Sequence, residues 1–357
     1  MMKKIAMLLA LVLTLGLIAG CSGDVVIYNN NCTCPSGGFT VPPCTHVCPG
    51  IGSGDQIPVK TGLAIVTGLS TNDAGNQVDY DVTLVAVLVD DQGIIRDCAI
   101  DSIGTSVAFD ATGNITTDLT AKVLTKNELG YDYHMKDWGG AVAEWFEQAE
   151  ALAQFAIGKT LEQLKNGAID ETGKAPAGSD LASSATIYLG GYVAAIEVAV
   201  ANAKHLGAMV GDELRLAAMP SLASSVSATA ENAGTAQLDC DVTALTVRGG
   251  VITSCYLDSL QAKVSFDATG KITSDLTAKV LTKNELGYDY HMKDWGGAIG
   301  EWFEQAAAFA RYVTGKTAAQ VAGIAVNEGT KPTDTDLTAS VTIAIGGFQA
   351  LIAKAMA

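Results

Sequence analysis

Basic side chains are scarce in this sequence: 22 Lys and Arg stand against 38 Asp and Glu, a formal charge of -16. The arginines are only Arg96, Arg215, Arg248 and Arg311, and beyond Lys3-Lys4 no cluster of cations occurs. Recognition of a phosphodiester backbone needs clustered Lys and Arg, so nucleic acid is excluded as a partner. Long apolar runs are also missing. After residue 20 no apolar stretch reaches 18 residues, whereas a membrane-spanning helix needs roughly 20. No CxxCH is present to attach haem. Lys159-Thr160 and Lys316-Thr317 follow a glycine but lack the Gly-rich loop that cradles a nucleotide phosphate. What remains is 357 residues, 48% hydrophobic and only 17% charged. Such a chain buries a core and has room for two or three domains.

Residues 1–20 read as an export signal. Lys3 and Lys4 precede the almost purely apolar Ile5 to Ile18, too short to span a bilayer comfortably. The sequence Leu17-Ile18-Ala19-Gly20-Cys21-Ser22 resembles the lipobox of bacterial lipoproteins. That resemblance implies cleavage before Cys21, acylation of its thiol and amino group, and an anchor of two or three chains. The expected location is the extracellular face of the cell membrane. Residues 21–58 are rich in Gly, Pro and Asn and carry Cys32, Cys34, Cys44 and Cys48, with His46 between the last two. CxC and CxxxC spacings are not those of common structural zinc sites, and an exported segment retains disulfides. A disulfide-stapled stalk is therefore expected ahead of a metal cluster, which stays open as the alternative.

A duplication dominates the rest. Asp118 to Ala141 recurs unchanged at Asp275 to Ala298, 157 positions later. The match continues through Glu144-Trp145-Phe146-Glu147-Gln148 and Glu301-Trp302-Phe303-Glu304-Gln305 to Gly158-Lys159-Thr160 and Gly315-Lys316-Thr317. Two tandem globular domains are expected, 59–219 and 220–357, with the boundary near Met219-Pro220. In the first copy Tyr80 to Val89 and Ile94 to Ile100 read as strands around the turn Asp90-Asp91-Gln92-Gly93, followed by an alternating stretch from Ser106 to Asp110. An antiparallel sheet with one covered face follows. Gly140 to Ile157 then reads as a helix, because Trp145, Ala149, Leu152 and Ala156 form one apolar stripe that Trp302, Ala306, Phe309 and Val313 repeat. A short helix or turn is expected after Thr160 and a longer helix from about Ile187 to Lys204. Each copy is thus α+β, an antiparallel sheet packed against helices. Cys240 and Cys255 flank the Arg248-Gly249-Gly250 turn, consistent with either a cross-strand disulfide or two buried core residues; Cys98 lacks such a partner.

Each copy carries one more matched segment. Asp180-Leu181-Ala182-Ser183-Ser184-Ala185-Thr186 precedes Ile187-Tyr188-Leu189-Gly190-Gly191, and Asp336-Leu337-Thr338-Ala339-Ser340-Val341-Thr342 precedes Ile343-Ala344-Ile345-Gly346-Gly347. Hydroxylated residues and free amides at a helix start attract an anion, and Gly-Gly in the first turns would admit a flat group close to the backbone. A plain Ser/Thr cap is the competing reading.

The pattern Asp-x-x-(Ser/Thr/Ala)-(Gly/Ser)-Ala-Thr resembles the flavinylation motif of the FMN-binding domain family, found in a subunit of sodium-pumping quinone reductases and in exported electron-transfer flavoproteins. Together with Tyr133-His134-Met135-Lys136 and the Glu-Trp-Phe-Glu-Gln segment, the chain is similar to the two-domain FMN lipoproteins of Gram-positive extracellular electron transfer. The resemblance implies two FMN groups joined through phosphate to Thr186 and Thr342 by an FMN transferase that uses FAD and a divalent cation. It further implies a membrane donor such as a quinol-linked dehydrogenase and extracellular acceptors such as ferric iron. Around each acceptor the implied cofactor-binding residues are Asp180, Ser183, Ser184 and Ala185, and Asp336, Ala339, Ser340 and Val341. Val341 departs from the motif's alanine. Met135 and Met292 are expected to touch the ring or phosphate, ahead of Tyr133, His134 and Trp138 and of Tyr290, His291 and Trp295. Trp145 and Trp302 are expected in the core. No catalytic residue and no metal ligand is assigned. Two alternatives stay open, an exported FMN-dependent reductase of an organic acceptor and a non-catalytic surface-binding lipoprotein.

Overall fold

The computed structural model describes residues 57–357. The signal segment, Cys21 and the cysteines of the stalk lie outside the described residues, as do the expectations that fall on them. Each half opens with a three-stranded antiparallel meander: β1 (Lys60–Thr71), β2 (Gln77–Val89) and β3 (Ile95–Ala108), then β4 (Glu213–Ser221), β5 (Gly234–Arg248) and β6 (Val251–Phe266). Helices follow the sheet in each half. The first has α1 (Lys126–Leu129), α2 (Trp145–Ala156), α3 (Leu161–Ala168), α4 (Asp180–Ser184) and α5 (Gly190–Ala201). The second has α6 (Lys283–Leu286), α7 (Met292–Gly296), α8 (Trp302–Val313), α9 (Ala318–Ala322), α10 (Thr335–Thr338) and α11 (Gly346–Ala355). The molecule is α+β, with two similarly organised units. Among the described residues no helix is long and apolar enough to cross a membrane.

The sheets are covered on both faces, not one. Val78, Tyr80, Val82, Leu84, Ala86 and Leu88 of β2 meet Leu238, Cys240, Val242 and Ala244 of β5 in a core shared by the two halves. The alternate residues Val85 and Val87 face outward and pack under α2 and α5. This follows from the period of two along a strand. The apolar run Leu84 to Val89 has no polar face because helices cover one side and the second sheet covers the other. Phe109, the residue after β3, and Phe266, the last of β6, stack across the halves, with centroids 4.0 Å apart. Thr61 Oγ1 and Ser254 Oγ hydrogen-bond at 2.7 Å between the edge strands β1 and β6.

Local differences from the sequence reading have physical causes. β3 runs without a break from Ile95 to Ala108, because Ser106 to Ala108 keep their register with β2. β1 has no strict alternation, and only its pairing to β2 defines it. Met219 and Pro220 lie inside β4, so the crossing between halves is upstream of them. Cys240 pairs in register with Leu260 and Cys255 with Leu245. The two thiols belong to different cores, on opposite faces of the sheet, so no disulfide joins them. Cys98, Cys240 and Cys255 are all free and buried. The stripe on α2 and α8 is buried as its spacing requires, with Trp145 and Trp302 in the helix-side cores. Close approach of α5 to β1 depends on Gly62, where a Cβ would lie 2.0 Å from the Ala199 carbonyl oxygen.

Candidate functional site

The matched segment is a short helix followed by an irregular stretch, and the threonine lies in the stretch. Ser179 Oγ caps α4, accepting from Ala182 N at 3.2 Å, while Asp334 caps α10. Asp180 and Asp336 sit exposed in those first turns, and neither hydrogen-bonds to the threonine that follows. Ser183 Oγ donates to Asp180 O at 2.6 Å and Ser340 Oγ to Leu337 O at 3.4 Å, both within their own turn. Ser184 and Ala339 are exposed. Ala185 and Val341 point into the core at 1% and 0% exposure, so they anchor the segment and do not face a ligand. Burial gives the valine's extra methyl groups a place away from Thr342.

The threonines therefore do not begin the following helix. α5 starts at Gly190 and α11 at Gly346, four residues beyond Thr186 and Thr342. Their amides are not free either. Gln148 Oε1 accepts from Thr186 N at 2.8 Å, from Ile187 N at 3.2 Å and from Thr186 Oγ1 at 3.3 Å. Gln305 does the same for Thr342 N at 2.8 Å, Ile343 N at 3.2 Å and Thr342 Oγ1 at 3.1 Å. One glutamine carbonyl thus replaces the anion expected at those amides. The first glycine of each pair is likewise occupied by the protein: the Tyr188 ring lies over Gly190, and Thr330 lies against Gly346, whereas Gly191 is open.

Both glutamines are fully buried on α2 and α8. Their amide groups donate to Ala143 O and Gly300 O at 2.8 Å. The same nitrogen reaches the thioether of Met135 at 3.5 Å and that of Met292 at 3.8 Å. Threonine, glutamine and methionine are therefore contiguous in both halves. The methionine backbone is set by Glu144 and Glu301, the caps of α2 and α8. Glu144 accepts from Met135 N at 2.8 Å and Lys136 N at 3.1 Å, and Glu301 from Met292 N and Lys293 N at the same distances. This explains why Glu-Trp-Phe-Glu-Gln and the loop before it are kept together. The sequence reading missed both the glutamine and the glutamate. A buried-face glutamine four residues after a retained glutamate was the available signal.

In the second half this constellation borders a cleft of about 570 Å³. Thr342, Met292, Trp302 and Phe348 line it together with Lys283, Lys331 and Asp241. The Lys283 ammonium lies 5.1 Å from the Trp302 ring and 5.3 Å from that of Tyr290. Asp241 is half-buried beside it, and desolvation holds its carboxyl above the usual range. Thr342 is half-buried and Thr186 is exposed. Two differences between the halves change the surroundings of the threonine. Tyr192 OH accepts from Trp145 Nε1 at 3.0 Å, whereas Phe348 offers Trp302 no such partner. Tyr188 stands where the second half has Ala344.

The remaining aromatic candidates divide. Tyr133 and Tyr290 are half-buried against the helix-side cores, under Lys126 and Lys283. His134 and His291 have φ of 54° and 55° and stack on Trp138 and Trp295, which are 80% and 81% exposed. No family model, curated protein or solved structure matches this chain.

Proposed function

We propose that this chain is a membrane-anchored extracellular electron carrier holding two FMN groups, each esterified through its phosphate to Thr186 or Thr342. The observation that carries the reading is the Thr–Gln–Met constellation, built twice, with the second copy opening on a cleft whose size suits a ligand. Ligand clefts commonly measure about 300–1,000 Å³ and combine apolar walls with a few polar groups. Thr342, the ammonium groups of Lys283 and Lys331, and the apolar surfaces of Met292, Trp302 and Phe348 fit such a group. FMN bound there supplies one- or two-electron transfer at a potential that its surroundings tune.

The chain's own part is positioning. Gln148 and Gln305 hold the backbone on both sides of each hydroxyl, so the oxygen is presented at a fixed place and survives conversion to an ester without loss of the two amide contacts. Lys331 is exposed at the cleft and balances phosphate charge. Lys283 is held over two aromatic rings, available from the opposite side. Anchoring by acylated Cys21, and exchange with a quinol-linked dehydrogenase and with ferric iron, belong to the same proposal and rest on the sequence resemblance.

Co-expression with an FMN transferase, followed by intact mass measurement, tests the reading. Two adducts are expected, each of FMN less one water. Thr186→Ala and Thr342→Ala each lose one, while Thr→Ser at either position retains it. A chain that stays unmodified and colourless sinks the proposal.

A further inference from the structure

A second cavity, of about 280 Å³, lies along the edge strand β6 of the second sheet, between α8 and the segment that follows α5. Its walls include Leu206, Tyr256, Leu257 and Phe303, and Lys204 and Arg311 stand at it. The Lys204 ammonium is 5.2 Å from the Tyr256 ring. Both cations are exposed, and among the described residues neither is paired with a carboxylate. That is unusual for this protein, because the other three arginines are all ion-paired.

The first half provides an internal control. Cys98, Asn127, Phe146 and Ala153 match Cys255, Asn284, Phe303 and Ala310, so the frame around the position is the same. Five residues differ: Ala99 becomes Tyr256, Ile100 becomes Leu257, Glu150 becomes Ala307, Gln154 becomes Arg311 and Ile157 becomes Thr314. In the first half Gln154 Nε2 donates to Glu150 Oε1 at 2.7 Å, and the Glu150 charge helps to raise Asp97 and the Cys98 thiol. The first-half position is therefore negative and spanned by a hydrogen-bonded pair. In the second half the carboxylate is gone, a guanidinium has been added and an aromatic wall has appeared. The nearby carboxylates of the second half are engaged: Asp258 accepts from Ser259 N and Asn284 N, and Glu285 from Thr282 N and Lys279.

We infer that this cavity binds a small planar carboxylate, with its rings against Tyr256 and Phe303 and its anionic group at Arg311 and Lys204. The volume falls just below the range of about 300–1,000 Å³ found for larger organic ligands, which limits the body to one or two fused rings. A guanidinium supplies the forked donor that a carboxylate accepts. Burial pushes the Cys255 thiol up to about 12, so the floor of the cavity is neutral and the site binds its ligand without attacking it.

Titration of the mature chain with 2-naphthoate, followed calorimetrically at low salt, tests the inference independently of flavin attachment. One-to-one binding is expected, unchanged in Thr342→Ala. Arg311→Gln and Ala307→Glu, each installing the first half's residue, should weaken it at least tenfold. The neutral 2-naphthamide should bind at least tenfold more weakly than the acid. Both substituted positions are exposed, so folding is retained, and circular dichroism checks this. Absence of saturation at millimolar naphthoate, equal binding by the two variants, or equal binding of amide and acid would each overturn the site.

Discussion

Replacing Gln305 by alanine is the most direct probe of how the threonine segment is held. Its carbonyl serves Thr342 N and Ile343 N, and its amide nitrogen serves Gly300 O. Ile343 is 8% exposed, so water does not readily replace the lost acceptor. A buried polar group stripped of its partner costs about 1–3 kcal/mol. With two amides and one carbonyl affected, Gln305→Ala should destabilise the second half by roughly 3–4 kcal/mol. Gln148→Ala should cost less, about 2 kcal/mol, because exposed Thr186 lets water reach its amide. Urea unfolding followed by tryptophan fluorescence measures this, since Trp145 and Trp302 sit buried in separate helix-side cores. The transition midpoint should move at unchanged slope. Gln154→Ala, on the exposed face of α2, is the control. If the three variants lie within about 0.5 kcal/mol of wild type, the glutamines are not what holds the segment.

Asp258 is pushed up to about 6, first by burial and also by Glu285, against the hydrogen bonds from Thr282, Asn284 and Ser259. A carboxyl raised on folding contributes stability that is complete below its ordinary value of about 3.9 and is lost as pH climbs through about 6. Asp258→Asn should therefore gain on wild type by roughly 3 kcal/mol between about pH 4 and pH 7, and urea midpoints showing a constant gap would contradict it. The depressed carboxyls, such as Asp110 at about 2, are common to both proteins and cancel. Phe109→Ala should cost about 3–5 kcal/mol and shift the unfolding of both halves together, because its stacking partner Phe266 belongs to the other half; a shift confined to the first half would show that the halves are not coupled there. At Gly62, alanine should cost about 1–3 kcal/mol by pushing α5 off β1, visible as lost amide protection in α5, and a fully protected helix would refute the close-packing account.

Much of this protein was legible along the chain. The duplication, the order of strands before helices and the buried stripe on α2 and α8 follow from local periodicity, which backbone geometry converts directly into one face or another. Cap positions are local too, since Thr160 and Thr317 each close a box with a glutamine three residues on. The Thr–Gln contact is not local. It joins Thr186 to Gln148 across 38 positions, and no period or spacing encodes which buried polar group will satisfy which amide. The expectation of free amides at a helix start failed for that reason: a segment of small residues looks the same whether water, an anion or a distant side chain completes its hydrogen bonds. The shared core likewise needed three dimensions, because a strand apolar on both sides states only that two partners exist. Sequence alone determined what each half is made of; packing decided that the halves close on one another and that a glutamine stands behind each threonine.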